Sequence, residues 1–388
     1  MESEHPDYSC HRQRYFEAYP GMHPLLALKP GSTGSLKSSP KKDLPVFFNF
    51  YLNFTSIILF IDHYWGCAEL SRYGPLKLFS GTTHPQLVRE IADYLGVIPG
   101  IVNISRFANG EIYVRYEESI RGADVFVVQS FSQDIRNIND SIMEMLIMID
   151  ALKRASVGRI TAVIPYYCYA RQEKKSAPRE PITSRMLADI LSTAGAARII
   201  TMDLHAPAIQ GFFNIPVDHM TALPMLAQYI KQHQLEDGVV IAPDAGSVKK
   251  AEKLAARLDL PVGVMYKRRP APNVAEITYF IGEVKDKTPI IIDDMVDTAG
   301  SVMQVVEALL ERNAKPEICL LTTHGIFSPP AIERLKHPAI KEIVVCNTVP
   351  LPQEKLLPKL KILSIAPLLG DTIRRIHEDI SISVLFDQ

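Results

Sequence analysis

From Leu76 onward, short apolar runs alternate with stretches in which apolar side chains recur every three or four positions. The runs at 125–129, 160–165, 199–202, 239–242, 289–292, 318–322 and 343–346 are apolar almost throughout. Runs of this kind are expected of strands buried on both faces. Between them, Ile142, Met145, Leu146, Ile149 and Leu152 fall on one face of a helix over 140–155, and Val302, Val305, Val306 and Leu309 do the same over 301–312. Alternating strands and helices predict an α/β fold with mainly parallel sheets covered on both sides. Ligands of such folds sit beyond the carboxyl ends of the strands. No short-period repeat is present.

The first 75 residues lack this texture. Residues 1–42 are irregular, with Pro, Gly and Ser clustered at 30–35, and read as a disordered segment. Residues 44–61 are largely apolar and aromatic, behind Lys41-Lys42. That length just reaches a bilayer span, but Asn49 and Asn53 interrupt it and it starts too late for an ordinary signal peptide. An anchor or targeting segment is one reading. The reading preferred here is an appended piece that the globular part does not need, with no membrane contact.

Composition narrows the function classes. The 388 residues suffice for two α/β domains, and 47% hydrophobic with 22% charged residues is ordinary for a globular chain. Forty-two basic against forty-three acidic residues leave a net charge of −1, which offers no global attraction to nucleic acid or an anionic membrane. Any anion site must be local. The five cysteines are odd in number and include no C-x-x-C pair, which predicts free thiols in a reducing, cytoplasmic setting.

The unusual residues collect where the strands should end. Asp203-Leu204-His205 follows one, Pro243-Asp244-Ala245-Gly246-Ser247 a second and Asp293-Asp294 a third. Most informative is Ile290-Ile291-Ile292-Asp293-Asp294-Met295-Val296-Asp297-Thr298-Ala299-Gly300-Ser301. A buried strand delivers carboxylates, a small-residue loop follows, and a helix begins. Backbone N–H groups of residues 298–301 can cradle a phosphate there, while the acids suit sugar hydroxyls, directly or through a metal. As structure alone, Asp297 or Ser301 would be an N-cap, which explains one acid but not three.

This segment is similar to the phosphoribosyl-pyrophosphate fingerprint shared by type I phosphoribosyltransferases and ribose-phosphate diphosphokinases, and alone leaves the two undecided. Pro165-Tyr166-Tyr167-Cys168-Tyr169-Ala170-Arg171-Gln172 resembles the P-Y-x-x-Y-A-R-Q stretch of the diphosphokinases, which simple phosphoribosyltransferases lack. Arg106-Phe107-Ala108-Asn109-Gly110-Glu111 resembles that family's adenine loop, although in isolation Asn-Gly is a hairpin turn. Residues 203–213 look like the family's D-L-H-A-x-Q-I-Q-G-F-F segment. Residues 266–273 match its K-x-R-x-x-x-N pattern, and their prolines and consecutive cations predict a loop.

The resemblance covers about Leu76 to Asp387. It implies two similar type I phosphoribosyltransferase-like domains, 76–221 and 222–388, after the extension 1–75. It implies transfer of pyrophosphate from Mg2+–ATP to ribose 5-phosphate in a homo-oligomer, a hexamer in the family. Carried over residue by residue, Phe107, Asn109, Gly110, Glu111, Arg171 and Gln172 hold ATP. Asp293, Asp294, Asp297, Thr298, Ala299, Gly300 and Ser301, with Arg269, hold ribose 5-phosphate. His205 and Asp244 serve magnesium, and Lys267 and Arg269 stabilise the transition state. Ala208 stands where the family has glutamine, Asn214 where many members have aspartate and Ser301 where threonine is common. The rival readings are a phosphoribosyltransferase and a non-catalytic homologue that assembles with active subunits.

Overall fold

Residues 72–135, 137–233, 237–268 and 277–386 are described by the computed structural model, which places them in one unit. The segment 1–71, with the apolar run 44–61, lies outside the described residues, as does the stretch 269–276. Strands β1 (Leu76–Ser80), β4 (Asp124–Val128), β5 (Arg159–Ile164), β6 (Arg198–Met202) and β7 (Val217–Met220) form a parallel sheet in the order β1-β4-β5-β6-β7. Strands β2 (Val102–Arg106) and β3 (Ile112–Tyr116) make a separate antiparallel hairpin. The second sheet contains β8 (Gly238–Ala242), β9 (Val262–Arg268), β10 (Ile277–Ile281), β11 (Thr288–Val296), β12 (Ile318–Gly325), β13 (Ile340–Cys346) and β14 (Leu360–Leu363). Its order is β10-β9-β8-β11-β12-β13-β14, and only the edge strand β10 is antiparallel to its neighbour.

The two sheets repeat one plan: β8-β11-β12-β13-β14 follows the same route as β1-β4-β5-β6-β7. The helices repeat too. Helices α1 (Pro85–Leu95), α2 (Ile138–Arg154), α3 (Thr183–Ala194) and α4 (Leu223–Lys231) follow β1, β4, β5 and β7. Helices α5 (Val248–Leu258), α6 (Gly300–Glu311), α7 (Ala331–Leu335) and α8 (Ala366–His377) follow β8, β11, β12 and β14. The helix after the last strand of each sheet packs on the helix after the first strand of the other, α4 on α5 and α8 on α1.

Burial explains why the strands read as continuous apolar runs. In β4, Val125 and Val127 join a cluster with Met145, Ile149, Leu187 and Leu191 of α2 and α3. Phe126 and Val128 point the other way, into a layer shared with Ile91, Val240, Ile290 and Leu321. In β11, Ile290 and Ile292 enter that shared layer, while Ile291 meets Val302, Val305 and Leu309 of α6 in a third cluster. Each such side chain, fully buried, contributes about 1.5–3 kcal/mol of transfer free energy. The middle layer therefore ties the two sheets together.

The observed elements differ from the sequence reading in two places that bear on the site. Strand β11 does not stop before Asp293-Asp294 but continues to Val296, pairing Asp293 with Thr322 and Met295 with His324. Residues 266–273 are not a loop throughout, because Tyr266, Lys267 and Arg268 pair with Tyr279, Thr278 and Ile277 of β10. The prolines argued against a central strand. Pairing of β9 with β8 ends at Val264, so these residues ride on a hairpin arm with a single partner. No helix among the described residues is long and apolar enough to cross a membrane. Cys168, Cys319 and Cys346 are buried and unbonded, whereas Cys10 and Cys67 lie outside the described residues.

Candidate active site

The carboxyl ends of β6, β8 and β11 contribute one connected chain of polar groups. Asp244, just after β8, accepts through Oδ1 from the Ser247 N–H at 3.0 Å and from Ser247 Oγ at 3.2 Å. The same hydroxyl lies 3.2 Å from Oδ1 of Asp293. The Asp294 N–H donates to that Asp293 oxygen at 2.9 Å, and Oδ2 of Asp294 is 2.9 Å from His205 Nδ1. Four residues named from the sequence for two different tasks, Asp244 and His205 for metal and Asp293 and Asp294 for the sugar, thus share one network.

Its electrostatics are lopsided. Burial, then the charge and hydrogen bond of Asp294 and the charge of Asp244, push Asp293 up to about 8. Burial would raise Asp294 as well, but its bond to His205 and the charges of Lys250 and His205 outweigh it and hold this carboxyl low. The pair therefore keeps one proton, on Asp293. The bond to Asp294 raises the His205 imidazole in turn. Lys250 on α5 brings its ammonium within 3.8 Å of Asp203 Oδ1.

Asp203 itself is structural. Its buried carboxylate accepts from Thr221 Oγ1 at 2.9 Å, the Ala222 N–H at 2.9 Å and Thr323 Oγ1 at 2.6 Å. Those donors and Lys250 hold it below the usual carboxylate range despite its burial.

The loop 297–301 enters α6 without a side-chain cap. Neither Asp297 nor Ser301 is the N-cap; Ala299 is, at φ 58°. The first-turn N–H groups are thus left without a capping side chain. Arg334 braces the loop by donating to the Thr298 carbonyl at 2.8 Å. Asp297 is paired with Arg171, Oδ2 to Nη1, at 2.8 Å. The segment expected to bind ATP and the segment expected to bind ribose 5-phosphate therefore meet through their charged side chains.

The other expected ATP residues are placed less directly. Gln172 accepts from Thr183 Oγ1 at 2.5 Å and so fastens the start of α3. In the β2–β3 hairpin, Asn109 Oδ1 accepts from the Glu111 N–H at 3.2 Å and Gly110 adopts φ 93°, so these two build the turn. Phe107 is 56% exposed, its ring edge-on to Tyr113 at 5.7 Å, which leaves a face for stacking. Among the described contacts, none joins this hairpin to Arg171 or to the acid chain. Lys267 is placed by its backbone in β9, and Arg269 lies outside the described residues. No three His, Cys, Asp or Glu side chains among the described residues converge on one metal position.

Sequence reasoning gave no role to Ser247, Lys250, Arg334, Thr323 or His324. Ser247 and Lys250 had a signal, since both sit within six residues of Asp244 at the start of an amphipathic helix. The other three belong to distant segments that only the second sheet brings near.

Residues 76–195 match the profile of the N-terminal domain of ribose phosphate pyrophosphokinase, and residues 267–387 that of the phosphoribosyl synthetase-associated domain. The chain is 49% identical over 315 residues to ribose-phosphate pyrophosphokinase of Clostridium acetobutylicum, covering 81% of this chain and 98% of that one. The chain belongs to the ribose-phosphate pyrophosphokinase family. The family's Bacillus subtilis member is 49% identical over 318 residues, which cover 81% of this chain and 99% of the relative. A crystal structure of phosphoribosylpyrophosphate synthetase from Mycobacterium smegmatis superposes with a TM-score of 0.74 at 46% identity, over 79% of this chain and 100% of that one. The family assignment thus rests on both halves of the repeat, including the β2–β3 hairpin and the closing helix α8.

Proposed function

We propose that this chain transfers the pyrophosphoryl group of ATP to the anomeric hydroxyl of ribose 5-phosphate, yielding phosphoribosyl pyrophosphate and AMP for nucleotide biosynthesis. The observation that carries this reading is the 2.8 Å pair between Arg171 and Asp297. A phosphate-binding fork and a sugar-binding carboxylate already in contact can hold donor and acceptor side by side. Asp293, Asp294 and Asp297 then engage the ribose hydroxyls, and residues 298–301 grip the 5-phosphate at the α6 start with Arg269. Phe107 stacks on adenine, with Asn109, Gly110, Glu111 and Gln172 around it. In-line attack on the β-phosphorus leaves little covalent work, so Lys267 and Arg269 act by offsetting charge on the transferring group.

The donor set fits Mg2+. Buried carboxylates that force one of their number to keep a proton are relieved by a divalent cation, and oxygen is the donor magnesium prefers. His205 and Asp244 would hold it, and the ion would neutralise phosphate charge. The halves 76–221 and 222–388 serve ATP and ribose 5-phosphate respectively, in a cytoplasmic hexamer whose β2–β3 hairpin reaches a neighbouring subunit.

An assay of AMP release tests the reading. AMP formation strictly dependent on ribose 5-phosphate is expected. Absence of AMP release would favour a non-catalytic homologue, and exchange of a nucleobase on phosphoribosyl pyrophosphate would favour a phosphoribosyltransferase. Retention of the complete acid chain from Asp244 to His205 speaks for the active enzyme.

A further inference from the structure

One peptide unit beside the site is held in an unusual way. Asp203 has φ +31°, a left-handed conformation that a non-glycine residue keeps only when its surroundings enforce it. The following peptide joins Asp203 to Leu204, the residue immediately before His205. Its N–H donates to Nε2 of His219 at 2.8 Å, and its carbonyl faces Nε2 of His324 at 3.2 Å. His219 lies in β7 and His324 in β12, so each sheet supplies one ring.

The chemistry of the peptide fixes both tautomers. A backbone N–H only donates, so His219 Nε2 carries no proton and its Nδ1 does, facing the Gln210 side-chain amide at 3.2 Å. The Gln210 Nε2 that lies there donates to the Pro207 carbonyl at 3.0 Å, so the amide is a neighbour of the ring and not its acceptor. A carbonyl only accepts, so His324 carries its proton on Nε2, and its Nδ1 lies 2.9 Å from Thr348 Oγ1, a hydroxyl that also reaches the Thr323 carbonyl at 3.1 Å. Burial disfavours the charged form of both rings, which agrees with this assignment. His324 is further set by the Tyr166 ring, 5.0 Å away between centroids, at the head of the segment that ends in Arg171.

We propose that His219 and His324 are positioning residues: in opposite tautomers they clamp the Asp203–Leu204 peptide from its two sides and so fix the turn that sets the His205 ring on Asp294. With the Asp203 N–H bonded to the Met220 carbonyl at 2.9 Å and its carboxylate already consumed, every polar group of that residue is held. His205 is the first residue of the turn free to face a ligand. The functional consequence rests on the reading of His205 as a metal-binding residue, whereas the clamp itself does not.

The test uses the full chain. His219→Phe and His324→Phe keep a ring and delete the clamp, while His219→Gln and His324→Gln place an amide oxygen or nitrogen where Nε2 stood. In metal-free protein with labelled imidazoles, the His205 Nδ1 proton bound to Asp294 is assigned by its loss in His205→Ala. That signal is expected to disappear in the Phe variants and to return in the Gln variants. Mn2+ binding, followed by electron paramagnetic resonance, is expected to weaken about tenfold in the Phe variants, the cost of losing an outer-shell partner. No further weakening is expected when either is added to His205→Ala. An unchanged His205 signal in the Phe variants overturns the clamp. If His205→Ala binds Mn2+ like the parent, the metal reading fails, and the imidazole signal still decides the positioning. Should the Phe variants not fold, His219→Asn and His324→Asn, too short to reach the peptide, must lose the same signal.

Discussion

Arg171 is more than half exposed and its bond to Asp297 is a surface contact, worth at most about 1 kcal/mol. A phosphate or a sugar hydroxyl can therefore displace either partner cheaply, which suits residues that hand themselves over to substrates. Asp297→Asn is expected to raise the ribose 5-phosphate dissociation constant about tenfold or more, one charge-assisted hydrogen bond of about 1.5–3 kcal/mol. ATP affinity should stay within about threefold, because freeing Arg171 does not remove it. Calorimetry with each ligand separates the two, and a collapse of ATP affinity instead would mean that the segments had been assigned in reverse. Lys267→Ala is expected to lower turnover by about two to four orders of magnitude with a much smaller change in ATP affinity, the usual result of removing a donor to developing charge. Turnover within tenfold of the parent, measured by AMP release, would remove Lys267 from the mechanism.

Among the elements, α8 shows how the two halves are fastened. Asp124 at the start of β4 is fully buried and accepts from Arg159 at 2.8 and 2.6 Å, and it lies 2.9 Å from His377 Nδ1 at the end of α8. Arg159 also donates to the Ile376 carbonyl at 2.9 Å. Burial alone would raise the Asp124 carboxyl, but the bonds from Arg159 and His377, with their charges, leave it below its ordinary value. A carboxyl with a lowered folded-state value stabilises the fold fully above about pH 4, and the contribution is lost as pH falls through the folded value. Melting temperature in the parent should accordingly drop on acidification below about pH 4. Asp124→Asn should cost about 3 kcal/mol at neutral pH by leaving Arg159 buried with only the Asp379 carboxylate, 3.9 Å away, as counter-charge, and should flatten that acid limb. Thermal scans of both proteins across pH 3–7 check it; parallel curves would show that another group governs the acid limb.

On the scale of the whole molecule, the boundary of the N-terminal extension can be drawn more finely than the sequence allowed. Residues 1–75 looked separable because the motifs begin after them. Yet the Tyr73 ring lies 4.2 Å beneath the Arg159 guanidinium and the Gly74 N–H donates to the Gly122 carbonyl at 3.0 Å, so the last few belong to the folded unit. A chain starting at Arg72 is expected to keep full activity. One starting at Leu76 should keep its active site but melt several degrees lower, having lost a desolvated cation–π contact of about 2 kcal/mol. Equal melting temperatures would assign Tyr73 to the extension after all. Loss of activity in the longer form, or membrane pelleting that only the full chain shows, would make residues 1–71 functional.

What the sequence determined by itself was local. Continuous apolar runs disclosed strands covered on both sides, three-to-four periodicity disclosed α2 and α6, and contiguous motifs such as 290–301 disclosed a strand, loop and helix start that are neighbours in the chain. It misjudged 266–268 because a hairpin arm with one partner strand tolerates cations and a following proline that a central strand would not. Pairings between distant segments were decided only by the tertiary structure. That Asp294 meets His205, that Arg171 meets Asp297 and that His324 reaches the Asp203 carbonyl depends on the strand order of two sheets and on a shared buried layer between them. Side chains such as Thr323, His324 and Arg334 acquire partners only when strands and helices pack, because hydrogen bonds and charge pairs act over a few ångströms, whatever the distance along the chain.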